Sequence, residues 1–302
     1  MGIVFSIFFS DILPVFAIAI AGFMLARFAG AQVQTLARAA FYVLMPCLAF
    51  KMLSTSVENG PAFSPVIAAA VLVTLVMGAV GYLCARALGL RGAELRAFLL
   101  VVMFSNGGNY GLPVVRFAFG SNALTYGAVF FLTGSVMTYV TGAFFAGSRH
   151  GQLRGAIEKV FRMPSLYGVA LALIAMWIGK PVPEAIMRPV SMLSDAALPV
   201  MILVLGMQLE RATIPEKPHL VLIAVGISLL IAPFVALGLC TGMGITGPAR
   251  QAVVILSSMP VAVVTTILAL EFDMSPTFVT GAVFLSTVLS PLTLTPLIAY
   301  LS

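Results

Sequence analysis

Long apolar runs separated by short polar links fill almost the whole chain. Each run holds about 20 residues, enough for a helix to cross the ~30 Å hydrocarbon core of a bilayer, and none alternates like a transmembrane strand. The first run follows no basic segment and contains Asp11 and Pro14, so we expect a retained span and not a cleaved signal peptide. The pattern predicts ten membrane-spanning helices, at residues 5–26, 33–53, 65–85, 95–118, 123–146, 164–179, 189–208, 220–241, 249–270 and 277–300.

Composition supports an all-α integral membrane protein, because 61% of the 302 residues are hydrophobic, 9% are charged and the mean hydropathy is +1.12. The cysteines Cys47, Cys84 and Cys240 lie inside predicted spans without metal-ligand spacing, and both histidines, His150 and His219, lie in links. We therefore expect neither a metal site nor a tightly bound cofactor. An intramembrane enzyme is also disfavoured, since no histidine lies within a span to act as a base.

Basic residues are distributed unequally between the links. Of the sixteen lysines and arginines, eleven lie in or beside the links that join spans one to two, three to four, five to six and seven to eight, and five lie on the other side. Under the positive-inside rule, this excess places those links in the cytoplasm and both termini outside. The net charge of +6 therefore indicates orientation in a lipid bilayer, and we expect no nucleic-acid partner.

The two halves of the chain share features at a constant offset. Arg96 and Arg250 lie 154 residues apart, as do Asn106 and Pro260, and the tetrapeptide GAVF recurs at the same spacing. Because each half holds five spans, the second half enters the membrane upside down, which is typical of secondary transporters. The predicted domains are a first five-helix repeat at 1–148, a short cytoplasmic linker at 149–162 and a second, inverted five-helix repeat at 163–302.

Helix-breaking residues interrupt spans four and nine near their centres. The sequence SNGGNYGLP interrupts span four, and SSMP interrupts span nine. An unpaired backbone group is costly in hydrocarbon, so such breaks persist only where protein or a water-filled cavity satisfies them. Two discontinuous helices at matching places in inverted halves indicate a substrate site. We expect Pro113 and Pro260 to begin half-helices whose positive N-terminal ends bind an anion.

The candidate substrate-binding residues are therefore those in and beside the two breaks: Asn106, Gly107, Gly108, Asn109, Gly111, Pro113, Ser257, Ser258, Met259, Pro260 and Val261. An alternative for each break is a packing kink, since proline and glycine are common in membrane helices. The asparagines could likewise serve as hydrogen-bond partners between helices.

Two charged residues within the spans are candidates for coupling or gating. Asp195 lies several residues into span seven, where a carboxylate is costly unless it has a function, although it could instead cap the helix that follows it. Lys51 lies near the outer end of span two. It could meet an incoming anion or extend its amino group to the membrane surface.

Four segments in order resemble the auxin efflux carrier family, which includes the plant PIN-formed auxin carriers and bacterial permeases, some of them assigned to malonate. Two further segments accompany the breaks: YVLMPCLAF in span two and LSDAALPVMILVLGMQL in span seven. The resemblance covers essentially the whole chain, and the short link between spans five and six favours a prokaryotic member in a bacterial inner membrane. The family motifs at the breaks are Asn106 with Gly111, Leu112 and Pro113, and Pro260 followed by Ala269, Glu271 and Phe272.

This resemblance implies ten helices in two inverted repeats, with broken spans four and nine crossing at the substrate site. It also implies a scaffold of spans one, two, six and seven, a transport bundle of spans three to five and eight to ten, homodimers, and elevator-type alternating access. The sodium-coupled bile acid carriers share this architecture and are the nearest alternative, followed by a membrane sensor on the same fold.

Charge suggests the class of substrate. Neutral hydrogen-bond groups and two helix N-termini, without a cluster of intramembrane acids, favour a small organic carboxylate. The sequence leaves open whether that acid is a dicarboxylate such as malonate or an aromatic monocarboxylate. It also leaves open whether a proton, sodium or no ion is coupled.

Overall fold

The structure is a computed structural model that describes residues 2–55, 63–146, 158, 161, 163–179, 182–210 and 217–302. In this part of the chain the regular structure is helical, apart from one isolated two-residue bridge. Pro164–Ile178 is a shorter apolar helix. Seven helical stretches of the described residues are long and apolar enough to cross a membrane, although the fourth is interrupted at Gly120: Phe5–Ala29, Val33–Ser54, Ser64–Ala87, Gly107–Gly142, Glu184–Leu209, Pro218–Gly242 and Pro276–Leu301. The prediction of an all-α, multi-pass membrane protein is confirmed.

The described helices follow one another with short links. In chain order they are α1 (Gly2–Ile7, Phe8–Ile12 and Leu13–Ala29), α2 (Val33–Ala39, Ala40–Leu44 and Met45–Ser54), α3 (Ser64–Ala87), α4 (Gly92–Met103), α5 (Gly107–Gly111 and 112–119), α6 (121–146), α7 (Pro164–Ile178), α8 (Glu184–Leu209), α9 (Pro218–Gly226, Ile227–Ile231 and Ala232–Gly242), α10 (Gly247–Ser257), α11 (Val264–Glu271) and α12 (Pro276–Leu301). Gly120 separates α5 from α6 at a φ of 80°, which glycine adopts without strain.

The two interrupted spans are each built from two short helices. α4 has 12 residues, α10 has 11 and α11 has 8, and each is shorter than the ~17 residues that a membrane-spanning helix needs. Predicted span four therefore corresponds to α4 with α5, and predicted span nine to α10 with α11. The largest difference in a boundary is at span seven, where α8 begins at Glu184 instead of residue 189.

Four described helices contain a five-residue π-helical turn. A proline has no backbone N–H, and its ring obstructs the carbonyl four residues earlier, so the preceding turn widens to accommodate it. The turns Phe8–Ile12, Ala40–Leu44, Gly107–Gly111 and Ile227–Ile231 each end two residues before a proline, namely Pro14, Pro46, Pro113 and Pro233. The position of each proline thus explains why the preceding turn of its helix is widened.

The helices pack in two groups. α1 packs on α8, and α2 packs on both α7 and α8, and we call these the four-helix group. The remaining helices, α3 to α6 and α9 to α12, pack mainly on one another, and we call them the crossing group. Contacts between the two groups are fewer than those within them.

Glycines bring the backbones of the four-helix group into direct contact. A Cβ atom on Gly206 of α8 would lie 1.7 Å from the carbonyl oxygen of Ala19, and one on Gly22 of α1 would lie 2.1 Å from that of Leu203. On Gly168 of α7 it would lie 2.4 Å from a backbone oxygen of α2. Small residues permit such close packing of membrane helices, and here they join α1 to α8 and α2 to α7.

Candidate functional site

The two breaks lie against each other and form a short antiparallel bridge. The backbone N–H of Asn106 donates to the carbonyl of Pro260 at 2.6 Å, and that of Ala262 donates to the carbonyl of Phe104 at 2.9 Å. Asn106 and Pro260 are the pair that the 154-residue offset aligns. The bridge therefore satisfies backbone groups that neither broken helix can satisfy alone.

Side chains complete the hydrogen bonding of the bridge. The Ser105 hydroxyl donates to the carbonyl of Leu256 at 2.6 Å, which ties the first break to α10. The N–H of Val261 donates to the hydroxyl of Ser286 on α12 at 3.0 Å. Protein groups thus take the place of water around the irregular backbone, as the hydrocarbon environment requires.

The expectation that Pro260 begins a half-helix is wrong, and the same expectation for Pro113 holds only for the α-helical part of α5, which begins at Leu112 after a π-helical turn. α5 begins at Gly107 with the π-helical turn, in which the N–H of Gly111 donates to the carbonyl of Asn106 at 2.9 Å. This wider turn forms ahead of Pro113 because that proline cannot donate to the carbonyl four residues before it. Pro260 lies in the bridge itself, and α11 begins only at Val264.

A cavity of about 410 Å³ extends from the bridge between the two helix groups. Asn106, Gly107, Gly108, Asn109 and Ser257 line its deep part. Its walls are largely apolar and include Phe41, Phe130, Phe131, Met201 and Val204, with Gln208 as a polar member, and its other end is lined by Gln34, Arg38, Tyr42, Tyr139, Met163 and Ile267. We call this end the mouth, because Gln34 and Arg38 there are exposed.

The other predicted site residues are buried behind the bridge and do not line the cavity: Gly111, Pro113, Ser258, Met259, Pro260 and Val261. Two glycines of the first break, one behind the bridge and one at the cavity, instead allow close packing of the helices. A Cβ atom on Gly111 would lie 2.4 Å from Cδ2 of Leu256, and one on Gly108 would lie 2.8 Å from Cε2 of Phe131. Glycine at these positions lets α5 approach α10 and α6.

Asn106 carries a donor that the protein leaves unused. Its side chain is 5% exposed, and its Nδ2 has no hydrogen-bond partner in the described part of the chain. Buried amide groups are nearly always paired in folded proteins, so an unpaired one beside a cavity requires an explanation. An acceptor on a bound ligand would supply the missing partner.

Asn109 forms a hydrogen bond across the boundary between the two groups. Its Nδ2 donates to Oε1 of Gln208 on α8 at 3.3 Å, and both residues line the cavity. Gln208 was not predicted as a site residue. The available signal was a single polar side chain near the end of an apolar helix, and its partner lies 99 residues away in the sequence.

The serines of the second break are already engaged. Ser257 donates its hydroxyl to the carbonyl of Val253 at 2.7 Å, and Ser258 donates to that of Val254 at 2.6 Å. A hydroxyl has one proton, so neither serine can donate to a ligand in this arrangement. Ser257 lines the cavity, whereas Ser258 is fully buried.

Lys51 and Asp195 pair with each other at 2.7 Å, and neither lines the cavity. The Lys51 side chain is 22% exposed and that of Asp195 is 71% exposed. Asp195 lies inside the continuous helix α8, so it is not the cap of a helix. In the described residues, no group of three or more His, Cys, Asp and Glu side chains could hold a metal ion.

Comparison with known proteins gives one family and two relatives. A family model described as membrane transport protein matches residues 7–156 and 152–298 of the chain. An uncharacterised transporter of Methanothermobacter thermautotrophicus is 27% identical over 259 residues, which cover 85% of each chain. An uncharacterised transporter of Methanocaldococcus jannaschii is 25% identical over 259 residues, which cover 82% of this chain and 83% of its own.

Proposed function

On the premise that this chain belongs to the membrane transport protein family, the family of the auxin efflux carriers, we propose that it is a secondary transporter for a small organic anion. The family consists of membrane transporters and not of enzymes, so the resemblance seen in the sequence is confirmed at the level of the family. The substrate class and the transport mechanism go beyond the family assignment and are what we propose.

The observation that carries the substrate class is the unpaired amide of Asn106 beside the cavity. A carboxylate accepts hydrogen bonds and has no donor of its own when ionised, so it complements this group. A hydrogen bond from a neutral amide to a charged acceptor contributes about 1.5–3 kcal/mol. That is enough to orient a substrate. Because it is weaker than the paired bonds that a fixed arginine would form, it also permits release of the substrate.

The helix ends at the bridge favour the same charge. Gly107 and Val264 are the first residues of α5 and α11, and both line the cavity. The N-terminus of a helix carries roughly half a positive charge and exposes unpaired N–H groups. Together with Asn106, these ends make the deep part of the cavity favourable for an anion and unfavourable for an amine.

The walls of the cavity indicate the rest of the substrate. Between the bridge and the mouth, aromatic and aliphatic side chains such as Phe41, Phe130 and Phe131 form most of the surface. Burial of an apolar body against them contributes roughly 25 cal/mol per Å². A carboxylate that carries an aromatic or aliphatic body therefore complements this cavity better than malonate, whose second charge would face these walls.

The packing supports movement of one helix group against the other. The ion pairs Arg27–Glu210 and Lys51–Asp195 lie within the four-helix group, and Lys217 pairs with Glu94 within the crossing group. The four-helix group corresponds to predicted spans one, two, six and seven, and the crossing group to the other six. We infer that the four-helix group is the scaffold and that the crossing group carries the substrate past it, as an elevator-type carrier would.

The same proposal includes the arrangement in the membrane. We infer ten spans in two inverted repeats with the breaks of spans four and nine crossing, both termini outside a bacterial inner membrane, and the mouth of the cavity in the cytoplasm. The positive-inside count supports this orientation, since Gln34 and Arg38 at the mouth lie just after the link between predicted spans one and two, which the count places in the cytoplasm. Assembly as a homodimer rests on the family resemblance.

Flux into proteoliposomes tests the proposal. Purified protein should carry benzoate or malonate, and benzoate faster, while benzylamine, benzamide and glucose remain outside. Benzoate should raise the melting temperature most and malonate less, whereas the other three compounds should leave it unchanged, since only a ligand that binds the folded state stabilises it. Repeating the assay with and without sodium and pH gradients identifies the coupling ion. Uptake of the amine or the sugar without uptake of either carboxylate would contradict the assignment.

A further inference from the structure

The helix α2 carries two cations on opposite sides of the bridge. Arg38 lies near its start and Lys51 near its end, so they are separated by roughly 20 Å at 1.5 Å per residue. Arg38 lines the mouth of the cavity, whereas Lys51 does not line the cavity and pairs with Asp195 near the other end of α2. The two ends of one helix can therefore meet anions on the two sides of the membrane.

The charges at these two ends differ. Lys51 is neutralised by Asp195 at 2.7 Å. Arg38 is exposed and has neither an ion pair nor a side-chain hydrogen bond with any described residue. Among the described residues, the guanidinium at the mouth is thus unpaired, whereas the ammonium of Lys51 is paired with a carboxylate.

We propose that Arg38 forms an anion-binding site at the mouth of the cavity, so that the carrier binds its organic anion more tightly from the Arg38 face than from the Lys51 face. The inference rests on the proposed anion transport and adds to it a second site and a difference between the two faces. Gln34, one helical turn earlier, supplies amide donors beside the guanidinium, and Tyr42, one turn later, supplies an aromatic wall.

The anion would bind first at Arg38 in the mouth and then at Asn106 beside the bridge. The guanidinium offers two parallel N–H groups to a carboxylate, and in an exposed position this contact is weak enough to exchange quickly with water. The anion then moves along the apolar walls to Asn106, where neutral donors hold it. Because α2 belongs to the scaffold of the proposed mechanism, Arg38 stays at its face while the crossing group moves.

Side-specific kinetics test this inference. Protein is reconstituted in one orientation, and the half-saturating concentrations of benzoate and malonate are measured separately from each face. Arg38→Gln should raise the value on the Arg38 face by about two- to fivefold, while the value on the Lys51 face changes by less than about 1.5-fold. Added salt should reduce the difference between wild type and Arg38→Gln, because salt screens exposed charges.

Matched variants separate charge from structure. Arg38→Lys keeps the charge and should stay close to wild type, whereas Arg38→Glu should exceed the effect of Arg38→Gln. Arg27→Gln removes another exposed arginine, which pairs with Glu210 and does not line the cavity, and should leave both faces unchanged. Each variant is compared at matched melting temperature, so that loss of folding does not imitate loss of binding.

Two results would overturn the inference. Equal effects of Arg38→Gln on both faces would mean that the residue acts on the shared site or on folding. An unchanged value on the Arg38 face would mean that the guanidinium takes no part in binding. Failure of the wild type to transport either carboxylate is a different outcome, because it refutes the proposed function and the mouth site with it.

Discussion

The break between α4 and α5 and the break between α10 and α11 each donate one backbone hydrogen bond to the bridge between them. Their side chains differ in what remains available. In the first break, Asn106 has an unpaired Nδ2 and Asn109 reaches across to Gln208. In the second, Ser257 and Ser258 donate to carbonyls of their own helix.

This difference assigns separate roles to two segments that occupy equivalent places in the chain. Residues of the first break line the cavity and include the unpaired Nδ2 of Asn106, and the proposed function gives this break the role of ligand recognition. The second break is almost fully buried, and it supplies the carbonyl of Pro260 and the N–H of Ala262 that hold the first break in position. Under the proposed function, recognition and support are thus divided between the two halves of the crossing.

The largest expected effect comes from Asn106→Ala. The variant removes the unpaired donor and should lower carboxylate flux by about ten- to a hundredfold, as expected for a lost hydrogen bond to a charged group. Its backbone bond to Pro260 remains, so the melting temperature should change little. Proteoliposome flux and thermal unfolding measure the two effects. Flux near the wild-type rate would mean that the first break serves only the packing of the helices.

A second variant tests the close approach that the first break requires. In Gly111→Ala, the added methyl group would lie 2.4 Å from Leu256, and such overpacking should destabilise the protein by about 1–3 kcal/mol. Gly238→Ala on α9 is the control, because nothing lies within 4 Å of its Cβ position. Thermal unfolding should show a lower melting temperature for the first variant only. Equal melting temperatures would show that α5 has room beside α10.

The contact across the two groups should have an intermediate effect. Gln208→Leu and Asn109→Leu should each lower flux by about three- to tenfold, and the double variant should resemble the single ones because both remove the same hydrogen bond. A double-mutant cycle on flux measures this coupling. Fully additive effects would mean that Asn109 and Gln208 act separately.

Local sequence was sufficient to locate both breaks. Asn106 and Pro260 are poor residues for a helix interior, and the structure interrupts the helices there, whereas the glycines after Asn106 lie in the π-helical turn that begins α5. The exact start of α5 could not be predicted, since it depends on a π-helical turn that begins at Gly107, well ahead of Pro113. The family resemblance, which rests on the same short motifs, was also recoverable from the sequence.

Contacts between distant helices could not be predicted from one sequence. Gln208 and Arg38 both line the cavity because α8 and α2 pack on each other beside it, and no local pattern reports that packing. The pairing of Lys51 with Asp195 joins residues 144 positions apart. The sequence showed each charge separately, whereas only the fold shows that they neutralise each other.

The smallest expected effects belong to the second break. Ser257→Ala and Ser258→Ala remove hydroxyls that donate within α10, so carboxylate flux should stay within about twofold of wild type. Ser257→Ala should have the larger effect of the two, because only Ser257 lines the cavity. Initial rates at several substrate concentrations measure this. A loss comparable to that of Asn106→Ala in either variant would show that both breaks recognise the substrate.

Equilibrium binding tests the division of roles most directly, because it is independent of movement between the two faces. The dissociation constant of benzoate is measured for the purified wild type, Asn106→Ala and Ser258→Ala at equal folded fraction. Asn106→Ala should bind about ten- to a hundredfold more weakly than wild type, and Ser258→Ala should bind equally well. Loss of affinity in Ser258→Ala with full affinity in Asn106→Ala would contradict the account.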